Sequence, residues 1–267
     1  MTVTIEADGP VRIIAIDRPK VRNAVDPATA EALYGAFMEF EAEEAAQVAV
    51  FASGPDAFCA GFDLKTAADG WANDWIAAVD IPHDWADAMA WPLAGPMGPS
   101  RLMLSKPVIG AIEGPAVAGG MELALWCDLR VMAEGAVMGV YCRRWGVPLI
   151  DGGTVRLPRT VGQGRANDLI LTGRPVDPVE AMAMGLADRR CEKGQARTTA
   201  LALAHDLTRF PQGCLRADHL SARPTPTDLA TALRREWTPA RLFGDEGRTG
   251  AAHFASGRGR SGDFGDI

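Results

Sequence analysis

The segment from Lys106 to Asp128 constrains the fold of this chain more than any other. It reads KPVIGAIEGPAVAGGMELALWCD. The β-branched apolar run predicts a buried strand, the Gly119–Gly120 pair predicts a tight turn, and the apolar stretch that follows predicts a helix. That helix carries a single acid, Glu122, in its opening turn. Free backbone N–H groups at such a helix start can hold an anion or a developing oxyanion.

Strand and helix signals alternate along much of the chain. A hairpin is predicted around Asp8–Gly9–Pro10, and a helix is predicted to begin with Asp26 as its N-cap and Pro27 in its first turn. VAVFAS and LRVMAE have the composition of short buried strands, while TALALAHDLTRF and the amphipathic TDLATALRREWTPARL predict helices near the end. Alternation of this kind is typical of α/β folds.

Composition narrows the class of protein. The 267 residues are 48% hydrophobic, which favours one large domain, with or without a small tail. A net charge of -7 argues against general nucleic-acid binding, and five scattered cysteines argue against a disulfide framework or a structural zinc site. No apolar run reaches the length of about 20 residues that a membrane span needs, and the start lacks a signal-peptide pattern. We therefore expect a cytoplasmic protein with a small-molecule ligand.

Two segments are predicted to be irregular. The Gly70–Pro99 segment contains four of the seven tryptophans together with several Pro and Gly residues. It is interpreted either as a lid over a ligand or as an extra helix that covers the core. The last residues, SGRGRSGDFGDI, are rich in glycine and are predicted to be mobile.

A second tight turn precedes the first one along the chain. It lies in DAFCAGFDLK, where Gly61 lets the backbone turn and direct an N–H group inward. The Gly119–Gly120 turn is not expected to be a nucleotide loop. In GPAVAGG and the residue that follows it, Gly120 occupies the position at which a phosphate loop has lysine, and Met121 occupies the position of its serine or threonine.

These two motifs, in this order, resemble the crotonase family, also called the enoyl-CoA hydratase/isomerase family. The similarity extends to DRPKVRNAVDPATAEAL near the start and to GVPLIDGGTVRLPRTVGQGRANDLILTGRPVDPVEAMAMGLADR later on. It covers residues 3–210 strongly and the tail more loosely. The resemblance implies an α/β fold, with a spiral of stacked ββα units over residues 1–200 and a C-terminal helical trimerisation region over 201–267.

The resemblance also implies a substrate and an assembly. The substrate is expected to be an acyl-CoA thioester, which carries its own coenzyme A, so that no metal or other cofactor is needed. A homotrimer or hexamer is expected, without a nucleic-acid or membrane partner.

Site residues follow from the same resemblance. The N–H groups of Phe62 and Gly119 would hold the thioester oxygen, and Glu122 would be the first of two catalytic glutamates, acting as a base. Cys142 occupies the position of the second glutamate. It is interpreted either as a small core residue or as a weak proton donor. Further residues match regions that bind substrate or CoA, namely Lys20, Val21, Arg22, Ala24, Ala60, Asp63, Leu64, Lys65 and Gly120, and Arg258 and Arg260 are expected to reach a neighbouring subunit's CoA.

Asp151, in PLIDGGT, is the candidate replacement for the missing glutamate. Two interpretations remain open. The aspartate either faces the acyl pocket and takes part in the chemistry, or caps the turn at Gly152–Gly153 through its side chain. Enoyl-CoA hydration is the leading hypothesis. A thioester hydrolase or isomerase that uses Asp151 is the alternative, and a catalytically weak acyl-CoA-binding protein is the third.

Overall fold

The structure, a computed structural model, describes residues 2–66 and 72–259. Its strands are β1 (Val3–Asp8), β2 (Val11–Ile16), β3 (Val48–Ser53), β4 (Val108–Ile112), β5 (Pro115–Val117), β6 (Leu129–Ala133), β7 (Val137–Gly139) and β8 (Arg189–Cys191). Its helices are α1 (Pro27–Ala42), α2 (Leu64–Thr66), α3 (Ala72–Ala78), α4 (Gly119–Trp126), α5 (Gly153–Val161), α6 (Gln163–Thr172), α7 (Pro178–Met184), α8 (Ala196–Thr208), α9 (Gln212–Ala222), α10 (Pro226–Trp237) and α11 (Leu242–Ala255).

The described strands form a main sheet and a small one. The main sheet has the order β1-β2-β3-β4-β6-β8, and the small sheet pairs β5 with β7. The pair β1–β2 is antiparallel, and the remaining pairs are parallel. The chain passes from β4 through β5 to α4, and then from β6 to β7, so successive turns stack a strand of each sheet. The predicted α/β spiral of ββα units is confirmed.

Local signals account for the first part of the chain. The hairpin turns at Gly9, whose φ is +57°. Helix α1 begins after Asp26, whose side chain accepts the N–H of Thr29 at 2.8 Å, with Pro27 in the first turn. The buried side of α1 packs its aromatic rings on the sheet, with the Phe37 ring centroid 5.3 Å from that of Phe51. Burial of such rings is a main source of stability in a core of this size.

Helix α8 covers the opposite face of the main sheet. Ala196, Ala200 and Ala204 are fully buried there, in one cluster with residues of β2, β3, β4 and β6. Glu113 follows β4 and accepts the N–H groups of Gly194 (2.8 Å) and Ala196 (3.2 Å), so its carboxylate caps α8. The domain boundary predicted at residue 200 therefore falls inside a helix that packs on the sheet.

The C-terminal helices pack on the spiral core of the same chain. Helix α10 turns Leu229, Leu233 and Trp237 inward, so its apolar face is covered within the chain. Helix α11 lies against the 3-10 helix Tyr141–Trp145. A methyl group on Gly250 would come within 2.0 Å of the carbonyl oxygen of Trp145, so glycine permits this close approach. No helix of the described residues is both long and apolar enough to span a membrane.

The Trp-rich segment contains an extra helix, which was one of its two interpretations, and the lid over a ligand stays a prediction. It contains the helix α3 and then an irregular stretch over 79–98, while residues 70 and 71 lie outside the described residues. Trp85 is fully buried and donates from Nε1 to the carbonyl of Trp91 at 2.7 Å. The stretch contacts α10, where Arg234 donates to the carbonyl of His83 at 2.5 Å. It is therefore an ordered cover tied to the C-terminal helices.

Candidate active site

A cavity of about 520 Å³ lies between the spiral core and α11. Its walls come from the loop after β2, the motif around Gly61, the start of α4, the segment 141–151 and the helix α11. The residues that line it include Lys20, Val21, Arg22, Ala24, Ala60, Phe62, Asp63, Leu64, Lys65, Met97, Gly119, Glu122, Cys142, Asp151, Phe243 and Phe254. The cavity thus combines charged, apolar and carboxylate surfaces, as small-molecule sites do.

The two predicted oxyanion donors meet at this cavity. A methyl group on Gly61 would lie 3.1 Å from the backbone nitrogen of Gly119 and 2.9 Å from the Cβ of Ala118, so the two turns are in contact. Neighbouring amides are engaged, since Asp63 donates to the carbonyl of Val25. The amides of Phe62 and Gly119 donate to no such acceptor within the described residues, and both residues line the cavity.

Backbone geometry holds the second donor in place. Ala118, the N-cap of α4, has φ +54° and ψ -127°, a conformation that costs a non-glycine residue about 1–3 kcal/mol. Gly120 packs on the first motif, because a methyl group there would lie 2.0 Å from the carbonyl oxygen of Cys59. Gly120, predicted to contact substrate, does not line the cavity. Its role is this close packing between the two turns.

Glu122 lies in the first turn of α4 and is 3% exposed. Its Oε1 accepts the N–H groups of Asp151 and Gly153, both at 2.9 Å. A methyl group on Gly153 would lie 2.9 Å from Oε1, so a side chain at that position would push against the carboxylate. Within the described residues no hydrogen bond engages Oε2, and Glu122 lines the cavity.

Asp151 also lines the cavity and is 3% exposed. Its Oδ1 accepts the N–H of Met97 at 2.9 Å and the hydroxyl of Ser100. The alternative that this side chain caps the Gly152–Gly153 turn is wrong, because it binds the segment before β4 instead. Within the described residues Oδ2 has no hydrogen-bond donor, so each of the two carboxylates has one oxygen held by protein donors.

The turn at Gly152–Gly153 is capped by Glu236, a residue of α10. Glu236 accepts the N–H of Gly152 at 2.5 Å and both the N–H and the hydroxyl of Thr154 at 2.7 Å. Its side chain is 6% exposed. Three buried carboxylates, those of Glu122, Asp151 and Glu236, therefore surround the start of α5.

Burial dominates the electrostatics of this group. It raises the pKa of Glu122 well above its usual range, and the charges of Asp151 and Glu236 raise it further, against the two N–H donors. Burial raises the pKa of Asp151 as well. There the hydroxyl of Ser100, the N–H of Met97 and the guanidinium groups of Arg101 and Arg156 oppose it. Burial thus favours the protonated form of both carboxylates, and at Asp151 two guanidinium groups are among the groups that oppose it.

Cys142 lies beside these carboxylates in the 3-10 helix Tyr141–Trp145. It lines the cavity and is 4% exposed. Burial raises the pKa of its thiol, and the charge of Glu122 raises it further. The side chain is therefore a small, neutral part of the wall, and a thiolate is disfavoured at this position.

The predicted CoA-binding residues cluster at one side of the cavity. Lys20, Arg22 and Lys65 line it with exposed side chains. Arg18 stands behind them and pairs with Asp26 at 2.8 Å and Asp63 at 3.3 Å, which ties the motif around Gly61 to the start of α1. Arg258 is exposed and does not line the cavity of its own chain, and Arg260 lies outside the described residues.

Several residues of the site were not predicted from the sequence. Ser100 and Met97 hold Asp151 from more than fifty positions away, and Glu236 holds Gly152 from 84 positions away. Phe243 of α11 closes the cavity over Phe62, with ring centroids 5.3 Å apart. No local pattern marks these partners, since each contact depends on the tertiary fold.

The amides of Phe62 and Gly119 and the buried carboxylates of Glu122 and Asp151 line one cavity. Such an arrangement is suited to an enzyme that stabilises an oxyanion and transfers protons. The comparisons identify the family. The model of the family described as enoyl-CoA hydratase/isomerase matches residues 6–237, and the chain belongs to this family.

Relatives agree with this assignment. The chain is 30% identical over 264 residues to enoyl-CoA hydratase EchA19 of Mycobacterium tuberculosis, covering 95% of this chain and 93% of the relative. It is 35% identical over 205 residues to a carnitinyl-CoA dehydratase of Salmonella paratyphi A, covering 75% and 72%. The crystal structure of carnitinyl-CoA hydratase from Mycobacterium avium superposes with a TM-score of 0.80 at 29% identity, covering 96% and 95%. The protein is therefore an acyl-CoA enzyme of hydratase type.

Proposed function

We propose that this enzyme adds water reversibly to the double bond of an enoyl-CoA, and that Glu122 and Asp151 form its acid-base pair. The observation that carries the proposal is the arrangement of these carboxylates. Both line one cavity beside the Phe62 and Gly119 amides, and each has one oxygen held by protein donors and the other left for substrate.

Two carboxylates in one buried site share a proton between them. Glu122 carries it, because burial and the charges of Asp151 and Glu236 raise its pKa. We assign the negative charge to Asp151, because a hydroxyl, an N–H and two guanidinium groups oppose the effect of burial, which raises its pKa. In the hydration direction this assignment makes Glu122 the acid, although the sequence led us to expect a base. In the dehydration direction the same residue is the base.

The reaction then balances without any redox change. Asp151 removes a proton from water as the water oxygen bonds to the β-carbon. The electrons of the carbon-carbon double bond move toward the thioester oxygen, where the Phe62 and Gly119 N–H groups stabilise the negative charge. The enolate collapses as its α-carbon takes the proton of Glu122, and a proton moves from Asp151 to Glu122 to restore the pair. We propose that no metal or other cofactor takes part, since these steps require none.

The proposal is tested with crotonyl-CoA and longer enoyl-CoA thioesters, with products identified by mass spectrometry. The unaltered enzyme should form the 3-hydroxyacyl-CoA. Glu122→Gln and Asp151→Asn should each lower kcat by about 10²–10⁴-fold, which is the usual value of general acid-base help. Because the pair acts as a unit, the double variant should be little worse than either single one.

A matched control is Glu192→Gln, which alters an exposed carboxylate outside the cavity and should retain full turnover. Free CoA as the product would instead indicate a hydrolase, and a shifted double bond would indicate an isomerase. Full activity of Asp151→Asn would remove Asp151 from the mechanism.

We further propose a homotrimer or hexamer in the cytoplasm, as the family resemblance implies. The apolar face of α10 gives no support for this assembly, because it is already covered within the same chain. Light scattering at micromolar concentration tests the assembly, and a monomer would contradict it. The expected contribution of Arg258 and Arg260 to a neighbouring subunit's CoA stays a prediction.

A further inference from the structure

Four consecutive backbone amides at the start of α5 alternate between two carboxylates. Asp151 and Gly153 donate to Glu122, whereas Gly152 and Thr154 donate to Glu236. The loop is thus held from both sides by acids that come from α4 and α10. Only one of these acids, Glu122, lines the cavity.

We propose that Glu236 is a positioning residue of the active site: its carboxylate fixes the loop from Asp151 to Thr154, so that Asp151 and Glu122 face the substrate together. This inference rests on the acid-base pair proposed above. Glu236 itself touches no reacting atom, since it acts through Gly152 and Thr154.

The loop needs such a partner for physical reasons. The first N–H groups of a helix have no acceptor within that helix. Those of Gly152 and Thr154 would require other acceptors at this buried position, and a carboxylate gives the stronger, charge-assisted hydrogen bonds. Gly152 adopts φ +93°, a left-handed conformation that two adjacent glycines would leave readily without an external tie.

The helix that carries Glu236 is itself anchored. Trp237, the next residue, donates from Nε1 to Asp80 at 2.5 Å, and the guanidinium carbon of Arg101 lies 4.2 Å from the centroid of the Trp237 ring. Arg101 is 1% exposed and donates to the carbonyl of Val79 at 2.5 Å. The position of α10 therefore determines the position of the loop.

The charges that face this group come from several elements. They are Glu122 of α4, Asp151 before α5, Arg156 of α5, Arg101 before β4 and Glu236 of α10, and the thiol of Cys142 adjoins Glu122. The charge of Glu236 raises the pKa of Glu122. Removing that charge should therefore lower the pKa of Glu122.

The test is Glu236→Gln in the full-length enzyme, assayed with crotonyl-CoA. The two carboxylate oxygens of Glu236 accept from Gly152 and Thr154. A glutamine has only one acceptor oxygen, and its NH₂ group would face one of these donors. We expect kcat to fall roughly 10–100-fold through misplacement of the loop, with KM within about threefold. The alkaline limb of the pH profile, where Glu122 loses the proton it must donate, should move to lower pH.

Glu113→Gln is the matched control, because Glu113 is a buried glutamate that caps α8 in the same way and does not line the cavity. It should lower the melting temperature while leaving kcat and the pH profile unchanged. If Glu236→Gln behaves like Glu113→Gln, with only a lower melting temperature, Glu236 is merely structural and the inference is overturned.

A second variant guards against a Glu236→Gln protein that does not fold. Thr154→Val removes only one hydroxyl donor, at an exposed residue, and should reproduce a smaller fall in kcat. Hydrogen exchange of the peptide 150–157, without substrate, should quicken in both variants. Unchanged exchange overturns the positioning role, whereas absence of hydration by the unaltered enzyme overturns the proposed function, so the two failures are distinguishable.

Discussion

The backbone N–H of Asp151 donates to Glu122 at 2.9 Å, so the two acids of the site are joined through the main chain of one of them. A shift of the loop that carries Asp151 would also break the hydrogen bond that orients Glu122. The two carboxylates therefore cannot be adjusted independently. Glu122 is therefore linked to a second carboxylate of the cavity, that of Asp151.

Gly61→Ala should impair catalysis more than binding. The added methyl group would lie 2.9 Å from the Cβ of Ala118, and φ at this position is +93°, which disfavours alanine. Displacing the adjacent Phe62 amide should lower kcat by about 10²–10³-fold, the usual effect of losing one oxyanion donor. Steady-state kinetics with crotonyl-CoA measure this effect. Gly54→Ala, which would meet no atom within 4 Å, should behave like the unaltered enzyme, and equal turnover of the two variants would contradict the oxyanion assignment.

Glu122→Gln should be more stable than the unaltered enzyme at alkaline pH, despite its lower kcat. The pKa of Glu122 is raised in the folded state, mainly by burial, so its contribution to stability is full below its unfolded pKa and is lost as pH rises through the folded value. Glutamine removes that loss and keeps an acceptor for both N–H donors. Thermal melting should give a Tm higher by a few degrees at pH 8, since 1 kcal/mol corresponds to about 2–4 °C for this chain length, and no gain near pH 4. A gain that is the same at both pH values would contradict the raised pKa.

Lys20→Ala and Lys65→Ala should weaken binding of CoA thioesters. Both side chains line the cavity with exposed cationic ends, and such contacts with phosphate are screened by salt. Each change should raise KM roughly two- to fivefold at low ionic strength, with little change in kcat, and the difference should shrink in high salt. Lys193→Ala, at an exposed lysine outside the cavity, serves as the control. Calorimetry should also show tighter binding of CoA thioesters than of free fatty acids.

Cys142→Ala should leave turnover within about threefold of the unaltered enzyme. Burial keeps the thiol neutral, and a thiol is a poor substitute for a carboxylic acid in general acid catalysis. The variant should lose a little stability through the small void it creates. Cys127→Ala, at another buried cysteine, provides the matched stability control. A loss of a hundredfold or more in kcat would assign Cys142 a chemical role.

Features set by neighbouring residues could be predicted from the sequence. Asp26 caps α1 by accepting the N–H of Thr29, three positions away. Glu122 lies in the first turn of α4, three positions after Gly119. Asp151 left two alternatives open, because both fit PLIDGGT equally well. The contacts with Met97 and Ser100 exclude the capping alternative, and the chemical role stays a prediction. Both partners are distant along the chain, so no local pattern could predict these contacts.

The contributions of α10 and α11 to the site could not be predicted from local sequence patterns, for another reason. Helix α11 contains Gly244, Gly247 and Gly250, which lower its intrinsic helix propensity by about 1 kcal/mol each relative to alanine. Packing on Trp145 compensates for this loss, and packing is a tertiary property. The cap by Glu236 is similar, since nothing in TDLATALRREW distinguishes this glutamate from a solvated one.

Phe243 and Phe254 of α11 line the cavity, and the late position of this helix in the sequence has a consequence for biosynthesis. Domains form from the N-terminus onward as a chain leaves the ribosome. The sheet, the amides of Phe62 and Gly119 and the carboxylates of Glu122 and Asp151 are translated well before α11. The nascent protein therefore passes through a stage in which the residues proposed as catalytic have been made but the cavity is still open to water. Helix α11 emerges later and closes that cavity, and a message truncated before α11 should yield a chain that still has these residues but lacks an enclosed site.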